Sequence, residues 1–372
     1  MTNKKLVLLI SVRADHGGGP RHVELLLKYL SASIGAYVAC PDELPYYQRF
    51  ENLTYGCVFT LPHRRFDFGY AMRLVSFARE QNIALVHAHG KGAGIYARFV
   101  SARLSLPCVH TPHGVHVAQY GSMKRRLYRL YENFTARWVD HVLFVSDEEC
   151  EAAKVEGLWQ KIPRSVVVNG VEPIADDVCA GWRDEFRRRL VMKDDQLIVL
   201  TLSRFDYQKN MNEAYEVVRM LPDHLFVWIG DGPERDALER RMQADGVENL
   251  KFLGKLDDPT PCLAAADIYF SSSRWEGMPL AVLEAMAVGV PVIASDVIGH
   301  QELVGETGSG LLYPLGVPLQ AAQALRRLSE DKFLRRRLGA LGQQVQRERY
   351  SAEKMAAAIE VVYQQMLKKR IR

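Results

Sequence analysis

The sequence predicts an α/β protein of two domains, each a parallel sheet with helices on both faces. Three observations carry this. Short apolar runs read as buried strands, and they alternate with helical stretches along nearly the whole chain. The stretch from Ile174 to Asp195 turns charged and helical, after which the alternation restarts at Leu197. A chain of 372 residues is also too long for one ordinary domain. The domain boundary is placed near Val171–Asp177, giving 1–172 and 173–350 with a closing helical segment over 351–372.

The first strand is Leu6–Val12. With Lys4 and Lys5 before it, it imitates a signal peptide, but no small-residue cleavage site follows and Arg13 and Asp15 come at once. The loop HGGGPRHVELLLKYL then opens a helix, and Gly18 and Gly19 let backbone approach a ligand where helix N-termini favour anions. It lacks the G-x-G-x-x-G spacing of a dinucleotide fold, which excludes an ordinary Rossmann dehydrogenase. Further strands are predicted at Tyr37–Cys40, Cys57–Leu61, Leu85–His89, Cys108–Thr111, Val139–Ser146 and Ser165–Val168. Ligands of such sheets bind beyond the carboxyl ends of the strands. There this chain collects His87, His89, Lys91, His110, His113 and His116. The i, i+3, i+6 spacing of His110, His113 and His116 raises zinc. However, no carboxylate lies nearby, and Pro112 and Gly114 argue against a helix, so one catalytic histidine with structural neighbours is preferred.

Residues 120–146 place Lys124, Arg125, Arg126, Arg129 and Arg137 among Leu127, Tyr128, Leu130, Tyr131, Phe134 and Trp138 at helical spacing. Two readings stand. The apolar stripe packs on the sheet and the charges are solvated, or the helix lies on anionic lipid headgroups. Charge favours an anionic partner for this half: residues 1–170 hold 21 basic against 14 acidic side chains, the remainder 27 against 30, for a net +4. No nucleic-acid module accompanies the charge, so no nucleic-acid partner is expected. The six cysteines form no C-x-x-C pair, which fits a reducing cytoplasm. No run reaches the ~18 apolar residues of a spanning helix.

The second half begins with the strand Leu197–Leu202 and the loop SRFDYQKN. Arg204 and Lys209, five apart where a strand ends, suit a diphosphate leaving group whose charge grows as its bond breaks. Strands follow at Leu225–Ile229, Leu250–Leu253 and Ala266–Ser271. Then comes SSSRWEGMPLAVLEAMAVGVPVIASDVIG, from Ser271 to Gly299. Pro279 suits a first helical position and Gly289 the residue past the helix end. The helix between them is apolar on every face, so it is expected to be buried with one charge, Glu284. Glu276 lies in the loop at its mouth.

The Glu-x7-Glu pattern in WEGMPLAVLEAMAVGVPVIAS resembles the signature of retaining glycosyltransferases of family 4, the glycosyl transferases group 1 with the GT-B fold. Arg204 and Lys209 match the family's R-x4-K phosphate clamp, and TPHG resembles the segment whose histidine approaches the transferring sugar, which favours His113 over His110. The resemblance covers nearly the whole chain. It implies two Rossmann-like domains facing a central cleft, with the C-terminal helix crossing back to the first domain. It implies His113 and Glu276 as catalytic residues. It implies a donor site of Gly18, Gly19, Arg204, Lys209, Gly277, Met278, Pro279, Leu280 and Glu284, with Glu284 on the ribose. Lys124, Arg125, Arg126 and Arg129 mark the acceptor or membrane side.

The expected activity is retaining transfer of a hexose or N-acetylhexosamine from a nucleotide sugar, UDP-linked first, to a saccharide acceptor carried on lipid. The setting implied is bacterial surface polysaccharide: O-antigen, capsule or lipopolysaccharide. No cofactor and no divalent metal are expected, since two cations and helix ends replace the ion. The protein is expected in the cytoplasm, on the cytoplasmic face of the inner membrane if the basic helix binds lipid. The alternatives are a nucleotide-sugar epimerase of the same architecture, or a non-catalytic nucleotide-sugar-binding protein.

Overall fold

The structure, a computed structural model, describes residues 4–115, 120–189 and 196–369. The chain divides into two compact units, Met1–Asn169 with Ala352–Arg372, and Gly170–Ser351.

In unit one the order is β1 (Lys5–Ser11), α1 (Gly18–Tyr29), β2 (Ile34–Cys40), α2 (Tyr46–Leu53), β3 (Val58–Thr60), α3 (Phe68–Glu80), β4 (Leu85–His89), α4 (Lys91–Leu104), β5 (Cys108–Thr111), α5 (Ser122–Thr135), β6 (His141–Phe144), α6 (Asp147–Val155) and β7 (Arg164–Val166). The strands form one parallel sheet in the order β3-β2-β1-β4-β5-β6-β7. Val7, Leu8, Leu9 and Ile10 are fully buried, as a central strand covered on both faces requires.

Unit two runs α7 (Asp176–Arg189), β8 (Ile198–Leu202), α8 (Met211–Met220), β9 (Leu225–Ile229), α9 (Arg235–Ala244), β10 (Leu250–Gly254), α10 (Thr260–Ala265), β11 (Ile268–Ser271), α11 (Leu280–Ala287), β12 (Val292–Ser295), β13 (Gly310–Tyr313), α12 (Pro318–Glu330) and α13 (Lys332–Arg349). Its parallel sheet is ordered β10-β9-β8-β11-β12-β13. The last helix, α14 (Ala352–Lys369), belongs to unit one, where it packs on α1 and β4.

Each sheet reverses its winding once, between β1 and β4 in unit one and between β8 and β11 in unit two. Such a switch point opens a crevice outside the strand ends. Two details differ from expectation. Pro279 is the residue before α11, with extended backbone, rather than its first helical residue. Glu284, expected to be buried, is only partly so, while Glu276, in the loop at the helix mouth, is 7% exposed. Helical patterning shows that α11 is apolar; the sheet and α13 decide which of its faces they cover. Gly289 does end the helix, at φ 72°.

Candidate active site

Unit two builds its site from the two loops that leave β8 and β11 at the switch point. Backbone and side chains stitch these loops together. The Arg274 amide donates to the Gln208 carbonyl at 2.8 Å, Gln208 Nε2 to the Trp275 carbonyl at 3.0 Å, and Ser272 Oγ to the Lys209 carbonyl at 2.9 Å. The result fixes Lys209 against Glu276: Lys209 Nζ lies 2.5 Å from Glu276 Oε1, and Ser273 Oγ donates to the same oxygen at 2.6 Å. Burial pushes the Glu276 carboxyl pKa up. Lys209, the nearby His300 and the two hydrogen bonds outweigh burial, so it is held below the usual carboxylate value. Glu276 is thus a buried carboxylate whose cation sits five residues from Arg204.

Arg204 stands at the open side of this group, its side chain 40% exposed, 2.9 Å from Asp206 and 3.2 Å from Gln208. Gly277 runs beside Gly299, where φ is 86° and a Cβ would fall 2.4 Å from the Gly277 carbonyl oxygen, so only glycine permits the approach. Met278, Pro279 and Leu280 follow as buried residues into α11, which carries Glu284 in its second turn; Pro279 has no N–H to offer a ligand. Sequence reading passed over His300. It is fully buried, and its Nδ1–H donates to the Ser295 carbonyl at 2.8 Å, which leaves Nε2 to accept from Ser271 Oγ at 3.2 Å. It therefore braces the end of β11 beside the site.

Unit one gathers histidines at its own switch point. His87 and His89 share a face of β4, with ring centroids 4.1 Å apart. His87 bonds Tyr363 of α14 at 2.6 Å and Thr111 at 2.8 Å. His113 follows β5 in left-handed backbone, φ 55°, and its Nε2 lies 3.2 Å from His89 Nδ1. His22, on α1, packs edge-on to His113 at 4.7 Å and bonds Asn169 at 2.9 Å. Burial lowers the pKa of all four rings, His22 to about 4, so they are neutral. His110 points to the opposite side of the sheet. There an added Cβ at Gly94 would fall 2.7 Å from its ring, and it packs on Trp159. Strand alternation turns His110 away from Thr111 and His87, and His113, beyond the end of β5, joins His22 and His89. His116 lies outside the described residues.

Glu149 fixes the His113 loop, another role the sequence reading missed. It accepts from the Gly114 amide and, at 2.9 Å, from the Val145 amide. Burial raises its pKa to about 7 against the opposing pull of those bonds. The signal in the sequence was the Ser146-x-x-Glu149 capping pattern: Ser146 Oγ does accept from the Glu149 amide, but the Glu149 carboxyl reaches the His113 loop instead. Gly18 and Gly19 open α1, with Gly17 before it and open space over Gly19.

The two readings of α5 separate. Most of its apolar stripe faces outward, with Met123 72% exposed, Leu127 and Leu130 59%, and Phe134 63%, while Tyr128 packs half-buried against the core. Only Glu132 and Thr135 of the helix are buried, held by Arg98. Lys124, Arg126 and Arg129 are exposed beside the stripe, whereas Arg125 is engaged by both oxygens of Glu156 at 2.8 and 2.5 Å. Among the described residues no helix is long and apolar enough to cross a membrane.

The group 1 glycosyl transferase model matches residues 183–345 and the glycosyltransferase family 4 model residues 16–173. The Escherichia coli UDP-Gal:alpha-D-GlcNAc-diphosphoundecaprenol alpha-1,3-galactosyltransferase is 31% identical over 283 residues, 72% of each chain. The O-antigen biosynthesis glycosyltransferase WbnH of the same organism is 26% identical over 257 residues, 68% of this chain and 71% of that protein. Among solved structures, Anabaena HepE in complex with UDP and glucose superposes with a TM-score of 0.84 at 19% identity, covering 96% of this chain and 99% of that one.

Proposed function

The chain belongs to glycosyltransferase family 4 and is a glycosyltransferase of the GT-B fold, and from that premise we propose that it moves a hexose or N-acetylhexosamine from a UDP-sugar to a lipid-diphosphate-linked saccharide, retaining the anomeric configuration, in surface-polysaccharide assembly. The observation that carries the reading is the joined pair of loops holding Lys209, Arg204 and Glu276 at one switch point. The similarity to the Escherichia coli UDP-Gal:alpha-D-GlcNAc-diphosphoundecaprenol galactosyltransferase supports the UDP-sugar and the lipid-diphosphate-linked acceptor, and that to WbnH supports the surface-polysaccharide setting.

Lys209 and Arg204 take the diphosphate. Glu276 pairs with Lys209, so the buried carboxylate has a cation beside it. Arriving phosphate replaces the carboxylate at Nζ, and Glu276 turns to accept from donor-sugar hydroxyls. Glu284 accepts from the ribose hydroxyls. The acceptor hydroxyl attacks C1 on the face the diphosphate leaves. The new glycosidic bond forms as the C1–O bond breaks, and the hydroxyl proton passes to the departing phosphate oxygen. Growing negative charge on that phosphate is met by the two cations, so transfer needs no divalent ion. His113, kept neutral by burial and by the histidines around it, is assigned to the transferring sugar as a hydrogen-bonding partner.

The exposed apolar stripe of α5, with Lys124, Arg126 and Arg129 beside it, supports peripheral attachment to the anionic cytoplasmic face of the membrane. A thermal-shift screen with UDP-, GDP-, ADP- and CMP-sugars in EDTA tests the donor assignment. The cognate sugar at 100 times its Kd stabilises by about 2.7 kcal/mol. A ~10-fold weaker donor site in Glu284→Ala cuts that stabilisation to about 1.4 kcal/mol at the same sugar concentration, and Arg204→Ala lowers kcat/KM by roughly 10²-fold or more. Near-normal kinetics in Arg204→Ala removes the clamp.

A further inference from the structure

We propose that His22, His89 and His113 form a binding site in unit one for a late divalent transition ion, zinc foremost, and that its occupation inhibits the enzyme by withdrawing His113. One ring nitrogen from each residue lies within 4.8 Å of the others. Four-coordinate zinc with Zn–N of ~2.0–2.1 Å sets its ligand nitrogens about 3.3 Å apart, by tetrahedral geometry. His89 Nδ1 and His113 Nε2 stand at 3.2 Å, close to one edge of that polyhedron; the hydrogen-bond proton between them moves to the far nitrogen of the donor ring when both bind the ion. From the outer limit of 4.8 Å, the third nitrogen needs to close by at most about 1.5 Å.

His22 is set up as that third ligand. Asn169 Oδ1 is an acceptor only, so the His22 Nδ1–H donates to it at 2.9 Å and Nε2 carries the lone pair. That Nε2 is buried without a hydrogen-bond partner, and the residue is 1% exposed. A buried acceptor left unmatched is destabilising, and a metal ion would satisfy it. The Asn169 bond is also the outer-sphere contact that orients metal-binding imidazoles. Three neutral nitrogens and no thiolate suit zinc or copper over magnesium or calcium, and leave a fourth position for water. The ion takes no part in the transfer chemistry. The binding claim stands on this geometry alone; the inhibitory consequence rests on the role proposed for His113.

The test uses the full chain, freed of metal, titrated with ZnCl2 by calorimetry in a non-chelating buffer. One ion per chain is expected, abolished in His22→Ala and weakened on the order of 10- to 100-fold in Asn169→Ala. Cobalt(II) provides a readout on the unmutated protein: intense visible bands of a low-coordinate site are expected, and only the weak bands of six-coordinate cobalt overturn the site. Absence of saturable binding, or binding unchanged in His22→Ala, overturns it equally. Saturating zinc should abolish transfer, with recovery on EDTA, while leaving the donor-induced thermal shift in place. Binding without inhibition leaves the metal site standing and removes the role given to His113.

Discussion

Replacing Lys209 with Met isolates what holds the donor loops together. Lys209 and Glu276 are 18% and 7% exposed at the side chain, and they touch at 2.5 Å. Met keeps the aliphatic stem and deletes the charge, so a buried carboxylate remains with Ser273 as its recorded hydroxyl donor at 2.6 Å. Breaking a buried pair from one side costs about 3–5 kcal/mol. The retained Ser273 bond places this case near the lower end, ~3 kcal/mol, which corresponds to a fall in Tm of roughly 6–12 °C for a unit of this size. Glu276→Gln alone leaves the more exposed partner, whose ammonium rehydrates, and costs less. The double variant Lys209→Met/Glu276→Gln has no buried charge and recovers most of the loss.

The pH dependence changes sign with the partner. In the native protein the Glu276 pKa is depressed, so its stabilisation is present above the unfolded pKa and is lost as pH falls through the folded one. Without Lys209 burial dominates and lifts the folded pKa above the unfolded value of about 4.3. The carboxyl's contribution is then lost as pH rises, and the deficit of Lys209→Met relative to native shrinks between pH 7 and pH 5. Urea unfolding at both pH values measures this. A Lys209→Met chain that melts within about 1 °C of native at pH 7, or a deficit equal at pH 7 and 5, would refute the reasoning.

Three further outcomes are expected. Glu284→Ala raises donor KM by on the order of 10-fold or more with little change in Tm, because the side chain is only partly buried; steady-state kinetics with unchanged KM would remove it from the ribose site. Glu149→Ala frees the Gly114 and Val145 amides, and misplacement of His113 by ~1 Å lowers kcat by about 10²-fold. The donor-induced thermal shift should persist in that variant; its loss would mean that Glu149 supports more than the His113 loop. Leu127→Ser/Leu130→Ser/Phe134→Ser removes binding to anionic vesicles in a flotation assay but keeps activity on a water-soluble acceptor. Arg126→Glu/Arg129→Glu weakens the same binding by about 1 kcal/mol per charge removed, and unaltered flotation in both variants would end the membrane assignment of α5.

The sequence by itself determined the architecture and the motif positions, because those signals are local. Alternating apolar runs and helical stretches set two parallel α/β halves, and Leu85–His89, Cys108–Thr111 and Leu225–Ile229 were read to the residue. Gly289 and Pro291 ended α11 through backbone rules that need no partner. Periodicity defines a face but not what covers it. Residues 122–135 carry a legible apolar stripe, yet only the packed chain leaves Leu127, Leu130 and Phe134 in solvent. Likewise two glutamates eight residues apart were visible, while strand order decided that Glu276 meets Lys209 across the β8–β11 switch and is the buried one. The meeting of His22, His89 and His113 is of the same kind. Each lies at or beyond the carboxyl end of a different strand, and a parallel sheet brings such ends to one edge regardless of their distance along the chain.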